Sequence, residues 1–388
     1  MKKKIISILL ATTLTAAVFA GCGSGSAMTS APSASAGSEA AGTAASQEAS
    51  SQAAASTEEA STSEEPIPFT VIGWNANIAH LDSAIAYSAG FYEKEGLDIS
   101  YTWNNSNPDN IQAQMASKAD MTSAGATAVL QYINEGADLV IIGGQMSLGE
   151  TLYARPERAA EFTDLYNEET LAGKKIGVSR MNTGDIAFRK ILIDKGIDLS
   201  KIEFVELDSQ ATVTEAVIKG EVDLGINFLT FRATAEAQGL VPISQLDSED
   251  EWTNYICCRT FTTSDKLAAN RDAYVKALKA NIEAYALIQT DKEATFDAAQ
   301  KVLEIDEDVL YNQIYEYGHL GLSPNPDKLN TTKFFDAMVE IGYIDKNVDI
   351  ADHIDTSVYI DALNELLEED PDNAVYKQLK ADSDATNL

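Results

Sequence analysis

From residue 67 onward the apolar positions fall into two alternating rhythms. Phe69-Thr70-Val71-Ile72-Gly73-Trp74 reads as a strand, and Leu81, Ile85, Ala89 and Tyr92 then recur at helical spacing, a stripe suited to packing on a sheet. Gly90 and Gly96 break that helix before a second alternating run at 97–101. Pro108 sits just inside a helix start, where its missing N–H costs nothing, and Ile111 and Met115 continue an apolar face. A short strand at 120–123, a helix at 126–135 closed by Gly136, and a continuous apolar run at 139–142 follow. The last has the character of a strand covered on both faces. The alternation then resumes. Strands are predicted at 175–178, 202–207 and 222–226, and helices at 186–195 and 213–219, closed by Gly196 and Gly220. Beyond Cys257 the chain becomes mainly helical, with periodic stretches at 272–289, 292–303 and 307–317. Strands alternating with helices imply parallel sheets covered by helices on both faces, an α/β fold.

The first 66 residues have a different character. Lys2, Lys3 and Lys4 precede an uncharged apolar stretch, 5–19, and then Ala20-Gly21-Cys22. That order resembles a bacterial lipoprotein signal, with Phe19 where Leu is usual. It implies a signal segment over 1–22, with Cys22 carrying lipid such as palmitate. Residues 23–66 are almost entirely Ser, Ala, Gly, Thr, Glu and Gln, without aromatic residues, Lys or Arg. Such a composition cannot bury enough apolar surface to offset ordering, so it reads as a disordered linker. About 320 residues remain, more than one ordinary core and enough for two lobes. The net charge of −32 argues against nucleic acid and anionic lipid surfaces as partners. Cys257 and Cys258 are adjacent, so they give no disulfide framework, although neighbouring cysteines can close a strained ring. With only three His and no zinc-type spacing, neither a metal nor a cofactor is expected.

Four segments resemble one family when taken in order. They are Gly90-Phe91-Tyr92-Glu93-Lys94-Glu95-Gly96-Leu97-Asp98, then Lys118-Ala119-Asp120 with Ser123-Ala124-Gly125, then Leu171-Ala172-Gly173-Lys174-Lys175-Ile176-Gly177-Val178, and Lys219-Gly220-Glu221-Val222-Asp223. Together they resemble the substrate-binding proteins of ABC importers in the nitrate, sulfonate and taurine class, which also includes thiamine-pyrimidine binders. Ser117-Lys118 departs from the family's usual Gly-containing pair. The resemblance implies a two-lobed periplasmic-binding-protein fold of type II with the ligand cleft between the lobes. On that pattern the first lobe takes 67–157 and 260–388, the latter including the C-terminal helices, and the second takes 158–259. A hinge is expected near Gly177 and near Cys258. The implied function is capture of a small organic or oxyanion ligand (sulfonate, taurine or nitrate-like) outside the cell. The implied partners are an ABC permease and its ATPase. The protein would be a monomer held on the outer face of the cytoplasmic membrane through Cys22, and it would do no catalysis.

Ligands of open α/β sheets sit beyond the carboxyl ends of strands, where helix N-termini present unpaired N–H groups. Three loops meet that description. The first is Trp74 with Asn75 and Asn77, leading to His80; Trp74 suits stacking and the asparagines hydrogen bonding. The second is Ser123-Ala124-Gly125, whose small side chains let a ligand approach the backbone. The third is Asn182-Thr183-Gly184-Asp185, where Asp185 either points outward or selects a ligand with hydrogen-bond donors. Asn227 and Phe228, after the strand at 222–226, form a further candidate. Two alternatives remain. One is a binder of a thiamine-pyrimidine precursor. The other is a pyrimidine-synthase-like enzyme of the same fold, faintly echoed by Cys257-Cys258.

Overall fold

The computed structural model describes residues 65–74, 78–104, 106–179, 181–248, 252 and 254–388. The expectations for Cys22, for the linker through residue 64, and for Asn75 and Asn77 lie outside these residues. All described residues belong to one compact unit spanning 62–388.

Among the described residues twelve strands occur in chain order. The first four are β1 (Ile67–Trp74), β2 (Leu97–Asn104), β3 (Met121–Gly125) and β4 (Val140–Gly144). Next come β5 (Met146–Ser147), β6 (Glu150–Ala154), β7 (Lys175–Ser179) and β8 (Glu203–Leu207). The last are β9 (Leu224–Phe228), β10 (Val241–Gln245), β11 (Cys258–Thr262) and β12 (Gly321–Leu322). They build two five-stranded sheets, in the orders β2-β1-β3-β11-β4 and β10-β6-β9-β7-β8, and β5 pairs with β12 in a small ribbon. Within the first sheet β1 runs parallel to β2 and β3, whereas β11 runs antiparallel to its neighbours β3 and β4. The second sheet repeats this plan, with β7 parallel to β8 and β9 and with β6 antiparallel to β9. Each sheet is the floor of one lobe, and the molecule is a two-lobed α/β protein, the architecture that the resemblance implies.

Local chemistry ends the helices where the sequence suggests. Gly136, Gly196 and Gly220 all take positive φ, a backbone that L side chains rarely adopt. Asn182 caps the helix Thr183–Asp194, its side chain accepting from the Gly184 N–H at 2.7 Å.

The chain passes between the sheets at 145–149 and again between β10 and β11. At the junction Ser147 pairs with Ile256, and the Cys257 N–H donates to the Met146 carbonyl. Gly177 is therefore not at a crossing. It lies inside β7, paired with Val205 and Gly225, and a Cβ there would meet Val222 at 3.2 Å. The expected lobe boundaries differ from the sheets as well. Strand β6 belongs to the second sheet although it precedes residue 157, and Cys258 and Arg259 belong to the first. The reason is the sequence of β6 itself. Glu150-Thr151-Leu152-Tyr153-Ala154 is buried at all five positions with strands on both sides, so it shows neither alternation nor an apolar run.

The C-terminal helices pack on the first lobe. Val358, Tyr359, Ala362, Leu363 and Leu366 from the helix Ser357–Glu369 join the same core as Phe69, Val71 and Leu278. The buried Lys279 ammonium fastens this arrangement, lying 3.0 Å from Glu95, 3.3 Å from Glu365 and 2.7 Å from Glu369.

Candidate functional site

The carboxyl ends of the parallel strands in both sheets meet at the junction. The first lobe brings Trp74, the end of β3 at Gly125, and the amino end of antiparallel β11 at Cys258. The second brings the amino end of antiparallel β6 at Glu150, the turn after β7, and Phe228. Two contacts tie them together. The Ala126 N–H donates to the Cys257 carbonyl at 2.6 Å, and the Thr183 hydroxyl donates to the same carbonyl at 3.4 Å.

The sequence-predicted residues divide into two groups. Trp74 is half-buried and stands edge-on to His80, with ring centroids 5.9 Å apart. His80 is fully buried beside Cys258. Gly125 is held by its N–H donating to the Asn107 side chain at 2.8 Å, and a Cβ there would lie 2.7 Å from the Asn107 amide nitrogen. Thr183 and Gly184 open a twelve-residue helix at the junction. Phe228 packs against Gly149, whose positive φ and close approach to the ring leave no space for a side chain.

The other candidates are engaged elsewhere. Ser123 points across the β3–β11 pair, its hydroxyl 2.9 Å from that of Thr260, while its carbonyl accepts from Asn110. Ala124 is enclosed in the core. Asn227 meets the Thr214 hydroxyl on the neighbouring helix. Asp185 neither points outward nor lines the junction. It is buried, and Arg189 one turn later donates to it at 2.7 Å while stacking on Phe204 at 3.7 Å. Burial raises its pKa against the pull of that arginine.

Several residues at the junction carry no local signal in the sequence. Glu150 is fully buried, with its N–H donating to the Tyr255 hydroxyl at 3.0 Å and one carboxyl oxygen accepting from Asn182 at 3.4 Å. Its other oxygen is buried without a partner. Burial pushes this carboxyl up to about 8. Asp82, in the first turn after His80, is likewise raised to about 8 by burial, although the Ser83 N–H donates to it at 2.8 Å. Between them in charge terms lies Cys258, which raises both. Cys257 and Cys258 are free, buried thiols with sulfurs 3.7 Å apart, so the ring that adjacent cysteines can form is open here. A hydrogen bond with Cys257 draws the Cys258 thiol down, against burial, and His80 and Arg259 add to the effect; Cys257 moves up in return. Among the described residues no group of three or more His, Cys, Asp or Glu side chains is arranged to hold a metal ion.

The geometry has counterparts in known proteins. A model of the family described as NMT1/THI5 like matches residues 77–294. A Brucella abortus chain that carries the description of a binding protein is 26% identical over 237 residues, covering 60% of this chain and 70% of the relative. The 4-amino-5-hydroxymethyl-2-methylpyrimidine phosphate synthase of Uromyces fabae is 27% identical over 185 residues, which is 47% of this chain and 48% of that enzyme. Among solved structures, the periplasmic aliphatic sulphonate binding protein SsuA from Escherichia coli superposes with a TM-score of 0.61 at 18% identity, over 76% of this chain and 92% of SsuA. Since the matched segment takes in more than half of the chain, the chain belongs to the NMT1/THI5-like family.

Proposed function

We propose that this protein is the extracytoplasmic solute-binding component of an ABC importer. It takes a small organic molecule or oxyanion, sulfonate, taurine or nitrate-like, between its lobes and delivers it to the permease. The observation that carries this reading is the meeting of strand ends from two sheets at one doubly crossed junction, with the side chains of Trp74 and Phe228 at those ends and a helix starting there at Thr183. Ligands of such sheets lie at these ends, and closure of two lobes about such crossings desolvates them. Within this reading Cys22 anchors the chain by lipid to the outer face of the membrane, residues 23–66 act as a tether, and the domain works as a monomer that performs no chemistry. The family likeness and the binding-protein relative support it.

A pyrimidine-synthase-like activity is the second reading, favoured by the grouping of Cys257 and Cys258 beside His80 and by the Uromyces fabae relative. The two separate in a thermal-shift series with taurine, alkanesulfonates, nitrate, bicarbonate, hydroxymethylpyrimidine derivatives and thiamine. A ligand at a hundred times its dissociation constant adds about 2.7 kcal/mol of stability, which moves the midpoint of a protein this size by a few degrees. Stabilisation by a compound recovered chemically unchanged is the expected result. Turnover of the compound would favour the enzyme.

A further inference from the structure

We propose that Glu150 is the specificity-determining residue of the junction, and that it takes a ligand bearing a protonated nitrogen, an ammonium or amidinium group, at the end that meets the second sheet. The inference rests on the solute-binding reading and narrows it, whatever group the other end of the ligand presents.

The N-terminus of a helix at the carboxyl end of a parallel strand is where a fold of this kind holds an anion. At the helix Thr183–Asp194 that position already holds one of the chain's own acids. A Cβ on Gly184 would lie 2.8 Å from both the carboxyl carbon and an oxygen of Glu150, so the carboxyl rests directly against the first turn. Asn182 donates to one oxygen and the Gly184 N–H also faces the group. A second anion placed there would have to share the helix end with this carboxyl and would be repelled by it whenever it is ionised. The other oxygen, Oε2, is enclosed and unpartnered. An ionised carboxylate only accepts hydrogen bonds, so the group that completes it is a donor. A nitrogen cation supplies both the donor and the missing charge.

Among the described residues no lysine or arginine supplies them instead. The groups facing Glu150 are Asn182 and Gly184 from the helix, and Tyr255, Cys257 and Cys258 from the second crossing. Arg189, on the same helix, is taken by Asp185. Arg259 donates to the Cys258 carbonyl and to Thr331. Burial keeps the Glu150 carboxyl protonated at neutral pH, so an incoming cation displaces that proton. Its binding therefore tightens as pH rises toward about 8, by up to about tenfold per unit. An oxyanion accepting from the protonated acid would behave in the opposite way.

The test uses the full-length protein in detergent and a bacterial metabolite extract split on a strong cation exchanger at pH 3. Stabilisation by the retained fraction, which holds the net-cationic amines, or by zwitterions of the flow-through such as taurine, is expected. Stabilisation only by flow-through compounds without a protonated nitrogen would overturn the assignment of Glu150 while leaving the binding function intact. No stabilisation by either fraction would overturn the binding function and this inference with it. Two matched pairs then isolate the nitrogen, taurine against isethionate and benzamidinium against benzamide. The charged-nitrogen member of at least one pair is expected to bind at least about tenfold more tightly. Glu150→Gln, which keeps the shape, is expected to abolish that preference and its pH dependence. Equal binding of both members in each pair, or a preference for the nitrogen cation that survives in Glu150→Gln, would overturn the proposal.

Discussion

Arg259→Ala is expected to destabilise the protein by about 3–5 kcal/mol, a change read from the urea midpoint at pH 7. Arg259 is fully enclosed and sits in β11, the antiparallel strand that returns the chain from the second lobe into the first. Its guanidinium donates to the Cys258 carbonyl at 2.7 Å and to the Thr331 hydroxyl at 3.1 Å, and Asp327 and the two cysteines stabilise its charge. Truncation leaves an unfilled volume and two acceptors that lose a donor in a place water does not reach. Arg259→Met fills the volume but not the hydrogen bonds, so its loss is expected to be smaller. Equal losses in the two variants would mean that the donors matter more than the packing. A loss below about 1 kcal/mol in the alanine variant would contradict the tie between β11 and the segment 327–331.

Asp82→Asn is expected to become steadily more stable than the unmodified protein as pH rises from about 4 to 8. In the folded protein burial raises the Asp82 carboxyl from 3.8 to about 8. Across that window the folded state keeps a proton that the unfolded chain has released. The stability linked to Asp82 is therefore fully present below about pH 4 and is lost as pH rises through about 8. The groups around it are Ser83, Tyr92, Tyr101, Tyr285 and Cys258, and none of these is a cation. Asparagine keeps the acceptor for the Ser83 N–H and has no proton to lose. The advantage of the variant grows toward a ceiling on the order of 5 kcal/mol at pH 8. Taking the difference between the two proteins removes the other titrating groups, including Cys258, whose depressed thiol acts with the opposite sign. Urea midpoints at pH 4.5, 6 and 8 measure the trend, and a constant difference would contradict a buried, proton-holding Asp82.

The fold was legible wherever secondary structure rests on local rules. β1 and β7 showed as strands, glycines marked helix ends, and the helix expected from 186 begins at Thr183 because Asn182 caps it. β6 was not legible, because its pattern is set by neighbours on both sides rather than by a face turned to water. The junction was half legible for the same reason. Thr183, Gly184 and Gly125 follow from what a helix start requires, whereas the meeting of His80, Glu150 and Cys258 is made by tertiary structure alone. The pleat turns the Ser123 hydroxyl toward Thr260, a contact that the residue's place in the strand does not announce. The pairing of Asp185 with Arg189 was open to prediction, since residues four apart on a helix are neighbours.

The central claim is that the two lobes close on a small molecule at the junction. The measurement that tests it most directly is a distance distribution between spin labels on Asp109→Cys and Asp208→Cys, both exposed and near the junction ends of their lobes. The native thiols of Cys257 and Cys258 are buried and do not compete for label. The distribution is expected to narrow and move to shorter distance when the stabilising ligand is added. A distribution that stays unchanged at saturating ligand would contradict closure.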